Sequence, residues 1–210
     1  MSALLSRIVV LSLVLLVAQN SASHAALSDA DRAAIDKVER YINDIDTLKA
    51  RFFQFTSSGE VAEGAFFVDR PGRMRIEYDP PVPVLIVADG LFLIYNDTEL
   101  SQVSRVPLLS SPASVLLRED LKLDGDGLSV TNVARGSGTL EITVEQTDDP
   151  LAGRISLTFS DNPLALRKWT VVDAQGLITD FALVNPRYGV ELDPELFRFV
   201  DDIGADGQDR

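Results

Sequence analysis

Leu140-Glu141-Ile142-Thr143-Val144-Glu145 places an apolar side chain at every second position and a polar one between. A period of two is that of an extended chain with one face buried and the other wet. The same alternation recurs downstream, where Ile155, Leu157 and Phe159 interleave with Arg154, Ser156 and Thr158. Upstream, Met74, Ile76 and Tyr78 interleave with Arg73, Arg75 and Glu77. Turn signals punctuate the interval: Ser57-Ser58-Gly59, Asp89-Gly90, Gly125-Asp126-Gly127, Gly136-Ser137-Gly138 and Gln175-Gly176. Asp89-Gly90 is the sharpest and predicts a tight hairpin joining residues 84–88 to 91–95. Counted this way the chain holds ten or eleven strands and no recurring βαβ unit. The expected fold is mainly β, one large antiparallel sheet curled on itself.

Ahead of the strands lies one helical pattern. Ile35, Val38, Ile42, Ile45 and Leu48 recur at spacings of three and four, and Tyr41 widens the stripe. Ser28 and Asp31 have the spacing of a capping box. Asp36, Lys37, Glu39, Arg40, Asn43 and Asp44 make up the opposite, polar face. Such a helix has to lie on an apolar surface. The hairpin strands Val84-Leu85-Ile86-Val87 and Leu91-Phe92-Leu93-Ile94 are apolar on both faces, so both need cover. Between strands, residues 106–118 read as a loop and then a short helix from about Pro112. A curved sheet with the long helix and this shorter segment over its hollow face accommodates all of them.

The remaining segments are terminal. One basic residue, Arg7, precedes an apolar run from Ile8 to Val17, and the stretch ends Ser23-His24-Ala25-Ala26. That pattern predicts a secretory signal peptide, residues 1–25, cleaved after Ala25. The run is about half as long as a membrane-crossing helix needs. Residues 26–203 are expected to form a single domain, followed by a polar tail, 204–210. The mature chain should be soluble in an extracytoplasmic compartment.

Composition removes most chemistries. With 19 Lys+Arg against 32 Asp+Glu, the net charge of −13 argues against nucleic acid as a partner. There is no cysteine, so neither a disulfide, a thiol nucleophile nor a lipid-modified start is available. The one histidine, His24, leaves with the predicted signal, and with it the usual triads and imidazole-held zinc. No G-x-S-x-G occurs. Asp124 and Asp126 could suggest calcium, but the twelfth position from Asp124 is Arg135 rather than Glu. Nothing singles out a carboxylate pair for acid–base work. No cofactor and no catalytic residue are expected, so the chain reads as a non-enzyme.

An ordered set of short motifs runs through the first half: Phe53-Gln54-Phe55, Gly64-Ala65-Phe66, Arg70-Pro71-Gly72-Arg73-Met74-Arg75, Tyr78, Pro80-Pro81, Val87-Ala88-Asp89-Gly90 and Tyr95. Set behind a signal peptide, this series resembles the periplasmic outer-membrane lipoprotein carrier family (LolA type), over about Ser28 to Phe199. The resemblance implies an unclosed antiparallel β-barrel with an N-terminal helix and a short helical segment forming a lid. It also implies a periplasmic, monomeric chaperone without catalytic residues, which binds lipoprotein acyl chains and ferries lipoproteins to the outer membrane. The implied partners are an inner-membrane lipoprotein-releasing ABC transporter and, where one exists, an outer-membrane receptor. A same-fold envelope protein binding another lipid or amphiphile is the alternative. The chain departs from longer relatives after Phe197-Arg198-Phe199-Val200, where only an acidic tail follows.

For such a carrier, the expected lipid-binding hollow is lined by Phe52, Phe66, Met74, Ile76, Leu85, Val87 and Phe92, roofed by Val38, Ile42, Ile45 and Leu48. The same residues would equally serve as a solid core, each filling its neighbour's space. The resemblance implies a lid latch at Arg70, whose five donors can serve several lid carbonyls at once. Otherwise Arg70 is a solvated turn residue. Met74 suits a cavity that must adapt or a core gap that must be filled. Arg73 and Arg75, on the other strand face, are expected to be solvated, docking of an acidic partner surface being the alternative.

Overall fold

The structure, a computed structural model, describes residues 27–149 and 153–200. The predicted signal peptide and polar tail lie outside them. Helix α1 spans Asp29–Asn43 and opens on the expected capping box, with the Ser28 hydroxyl accepting from Asp31 N at 3.1 Å and Asp31 Oδ2 accepting from Ser28 N at 3.1 Å. It ends earlier than the apolar spacing predicted. Ile45 lies beyond its end, and Leu48 belongs to the first strand.

Eleven strands follow: β1 Thr47–Thr56, β2 Val61–Asp69, β3 Arg73–Tyr78, β4 Val84–Asp89, β5 Phe92–Asp97, β6 Gln102–Pro107, β7 Leu128–Gly136, β8 Thr139–Gln146, β9 Gly153–Asp161, β10 Leu164–Asp173 and β11 Ile178–Tyr188. They form one antiparallel sheet in the order β6-β5-β4-β3-β2-β1-β11-β10-β9-β8-β7. The expected turns close the β1–β2, β4–β5, β7–β8 and β10–β11 hairpins. First and last strands meet at the centre, while β6 and β7 are the unpaired edges, so the barrel is not closed. That topology has a consequence for the connection between β6 and β7. Residues 108–127 leave one edge and enter the other, so they form a strap across the open side. Two 3-10 turns, Leu108–Ser110 and Pro112–Leu116, shape the strap. Buried Leu108, Val115, Leu116, Leu117, Leu121 and Leu123 hold it down.

The inner face is chiefly apolar and includes Leu140, Ile142, Val144, Ile155, Leu157 and Phe159, each at most 3% exposed. Across the sheet centre runs an aromatic row. Trp169 stacks on Phe181 with centroids 4.9 Å apart, Phe66 meets Trp169 at 4.9 Å, and Phe52 meets Tyr78 edge-on at 5.2 Å. Gly64 makes room for it. A Cβ there would stand 2.1 Å from the Glu77 carbonyl oxygen and 2.7 Å from the Phe52 ring.

The outer face of β3 and β4 is also covered, here by the C-terminal segment with its 3-10 turn Pro194–Phe197. Phe197 is 2% exposed. Arg73 lies over its ring at 5.8 Å and pairs with Asp69 at 2.6 Å, while Arg75 pairs with Glu77 and donates to Leu196 O at 3.3 Å. These two arginines are therefore not solvated strand charges. They anchor the C-terminal segment.

Candidate functional site

Between the two halves of the sheet and under the strap lies a cavity of about 440 Å³. Met74, Ile76 and Tyr78 of β3, Ile86 of β4, and Leu93 and Tyr95 of β5 form one side. Trp169, Val171 and Asp173 of β10, with Thr179 and Phe181 of β11, form the other; Gln54 of β1 also lines it. Ser111, Pro112 and Leu116 of the strap close it from above. The volume is within the usual range for a small-molecule pocket, and the walls are chiefly apolar. Tyr78 donates its hydroxyl to Gln54 Oε1, and burial pushes its phenol far above the usual range, so it stays a neutral donor.

A second, much smaller void of about 20 Å³ sits beneath the end of α1, lined by Ile42, Ile45, Leu48, Phe66, Val68, Arg70, Leu116 and Leu166. Leu116 lines both spaces. The strap residue thus separates the cavity from the space under the helix.

The residues expected to line the hollow fall into three groups. Met74 and Ile76 line the large cavity. Ile42, Ile45, Leu48 and Phe66 surround the small void, with Leu48 on the strand side rather than in the roof, while Val38 and Phe52 are packed solid at 0% and 1% exposure. Leu85, Val87 and Phe92 are on the wrong face, and their place in the set is corrected. Strand register decides this: Ile76 pairs with Ile86, Ile86 with Tyr95, and Ala88 with Leu93, so the inner face of the hairpin carries Ile86, Ala88, Leu93 and Tyr95. Val87 sits opposite Arg75 and Ile94, on the outer face. Because the hairpin is apolar on both sides, alternation within it gave no parity. Counting from β3 across the register would have supplied it.

Trp169, Phe181, Tyr78, Ile86, Leu93, Tyr95 and Leu116 were not foreseen as lining residues. The Phe53-Gln54-Phe55 motif also divides by parity, with Gln54 in the cavity and both phenylalanines on the outer face, 39% and 47% exposed.

Arg70 is no solvated turn residue. Its guanidinium donates to Ile42 O and, at 3.2 Å, Ile45 O at the end of α1, and to Asn43 Oδ1 at 3.0 Å. It also donates to Arg118 O and, at 3.2 Å, Glu119 O on the strap. One planar cation therefore fastens helix and strap together at the helix end where the dipole is negative. Burial lowers its pKa, opposed by the Asp46 and Asp120 carboxylates. Its Nε is buried without a partner.

Two further side chains stitch the same pair of elements. Asn43 Oδ1 accepts from Leu121 N at 2.9 Å and its amide donates to Leu121 O at 3.2 Å. Glu39, 7% exposed, accepts from Leu123 N at 2.7 Å and from Lys122 Nζ at 3.2 Å. Both belong to the polar face of the helix, opposite its apolar stripe. Their spacing of four puts them on one line along α1, and that line faces the strap.

The sequence model of the family described as "Outer membrane lipoprotein carrier protein LolA" matches residues 43–200. An outer-membrane lipoprotein carrier protein of Alkalilimnicola ehrlichii is 34% identical over 184 residues, covering 80% of this chain and 79% of that protein. One from Shewanella halifaxensis is 28% identical over 186 residues, covering 83% and 86%. The crystal structure of a LolA superfamily protein from Nitrosomonas europaea aligns with 80% of this chain and 97% of its own, at 9% identity and a TM-score of 0.48.

Proposed function

The chain belongs to the outer-membrane lipoprotein carrier family, and on that premise we propose that it shelters lipoprotein acyl chains in the cavity under the strap and carries them across the periplasm. In this reading residues 1–25 direct export and the carrier works as a monomer. It loads from an inner-membrane ABC transporter, unloads to an outer-membrane receptor and performs no covalent step. The observation that carries the proposal is the apolar cavity of about 440 Å³ beneath a strap that one arginine fastens to the end of α1. At about 0.8 kcal/mol per methylene, an acyl chain of about 15 methylenes costs on the order of 12 kcal/mol to wet, so a carrier must offer comparable apolar surface.

Parting helix from strap would widen that surface, because Leu116 alone lines both voids and the sheet edges are not paired to each other. Closure would then return the buried hydrogen bonds of Arg70 and drive cargo out. Release matters as much as capture, since a hollow that only attracted lipid would never hand it on.

The test is release of a radiolabelled lipoprotein from spheroplasts by the purified chain. Soluble lipoprotein bound to the protein is the expected result. Lipid found with the protein by mass spectrometry, with no lipoprotein released, would favour a same-fold binder of another amphiphile instead. Neither lipid nor lipoprotein bound would overturn the carrier reading.

A further inference from the structure

The cavity walls are apolar, but the charge at the cavity is of one sign. Asp173, the last residue of β10, is the single ionisable carboxylate among its lining residues, and no Lys, Arg or His lines it. The carboxylate is held in place by its own turn: Oδ1 accepts from Gln175 N and Leu177 N, both at 2.9 Å. Oδ2 takes no hydrogen bond and no ion pair among the described residues. Neighbouring strands keep their cations on the outer face, where carboxylates pair with them. Lys168 meets Asp180 at 3.0 Å, and Arg51 donates to Asp79 at 2.9 Å. The remaining polar groups at the cavity, on Gln54, Tyr78, Tyr95, Ser111, Trp169 and Thr179, are neutral.

We propose that the cavity prefers acyl amphiphiles whose head bears an ammonium group over neutral heads, and neutral over anionic heads, with Asp173 as the selecting group. The proposal rests on the carrier reading and names the head chemistry that accompanies the acyl chain. An apolar tail drawn into the cavity leaves its head near the carboxylate, whose second oxygen is unclaimed. An ammonium there gains an ion pair, whereas a phosphate or sulfate meets repulsion with no cation to offset it. The chain's net charge of −13 acts in the same direction at longer range. A partly exposed ion pair changes affinity by up to about fivefold and weakens as salt screens it.

Displacement of the neutral fluorophore N-phenyl-1-naphthylamine from the purified protein tests this. Dodecylamine, dodecyl maltoside and dodecyl sulfate compete below their micelle concentrations, at low and high salt. The expected order of affinity is amine, maltoside, sulfate, about fivefold per step at low salt, compressed at high salt. In Asp173→Asn the amide oxygen can still accept from the turn, and the steps should collapse. Asp36→Asn, an equal charge change on the exposed side of α1, should leave them intact. A dipalmitoyl lipopeptide with a free or an acetylated α-amino group then separates two sources of the ammonium. A preference for the free amine assigns it to a lipidated polypeptide, and a preference confined to single-chain amines assigns it to a lipid head. Fluorophore bound but displaced equally by all three heads overturns this inference alone, and the wild-type salt series reads that without any variant. No fluorophore uptake overturns the carrier reading, and this inference with it.

Discussion

Arg70 joins the end of α1 to the strap with hydrogen bonds from a charged donor, each of the kind worth about 1.5–3 kcal/mol when its partner is buried. Arg70→Leu removes all of them and leaves the carbonyls of Ile42, Arg118 and Glu119 without that donor. Losing even 2 kcal/mol of closure shifts the open–closed balance by about thirtyfold toward open. The variant is expected to load lipoprotein at least as well as the parent and to transfer it poorly to the receptor; transfer at the parental rate would remove Arg70 from the mechanism. Arg70→Lys should recover only part of the transfer, since one ammonium cannot span both elements as a planar fork does. Gly64 illustrates a residue whose effect is purely steric. In Gly64→Ala the new methyl would lie against a backbone oxygen that cannot swing aside, and urea unfolding should show a loss of about 3 kcal/mol.

At the scale of elements, α1 is both a roof and a fastening, and only the roof was legible in advance. The stripe Ile35, Val38, Ile42 announced an apolar underside because burial follows period. Glu39 and Asn43 bind a strap more than seventy residues away in sequence, and no local pattern distinguishes a polar side chain facing backbone amides from one facing water. The strand count and turns were legible because alternation and glycine-rich turns are local signals. Which side of the hairpin 84–95 points inward was not, because its two faces are equally apolar and only its partner strand reveals which is inside. The helix start was legible and carries a pH dependence. The Ser28 hydroxyl, with Arg135 at 2.7 Å, holds the Asp31 carboxyl down to about 2. A carboxyl depressed below its unfolded value of 3.8 contributes stability above that value and loses it as pH falls toward about 2. Acid titration of α1 anchoring by circular dichroism should therefore show a limb between about pH 4 and pH 2 that Asp31→Asn abolishes. A limb unchanged in the variant would place the sensitivity elsewhere.

The whole molecule has two apolar faces serving different ends. The inner face holds the cavity, and the strap above it is fastened to α1 by polar contacts. The outer face of β3 and β4 is covered by the chain's own C-terminal segment, with Val87 at 0% and Phe197 at 2% exposure. Phe197 is 2% exposed with the Arg73 guanidinium 5.8 Å over its ring, so this contact behaves as core rather than as lid. Phe197→Ala should cost about 3 kcal/mol in chemical denaturation, the usual penalty for emptying a packed aromatic site. Its affinity for an acyl probe, measured well below the unfolding transition, should stay within about twofold of the parent, because the sheet lies between that ring and the cavity. Arg70→Leu is expected to do the reverse, altering lipoprotein transfer far more than stability. If Phe197→Ala instead weakened probe binding as strongly as it destabilised the fold, the two faces would be mechanically coupled through β3 and β4. The C-terminal segment would then have to be counted as part of the gate.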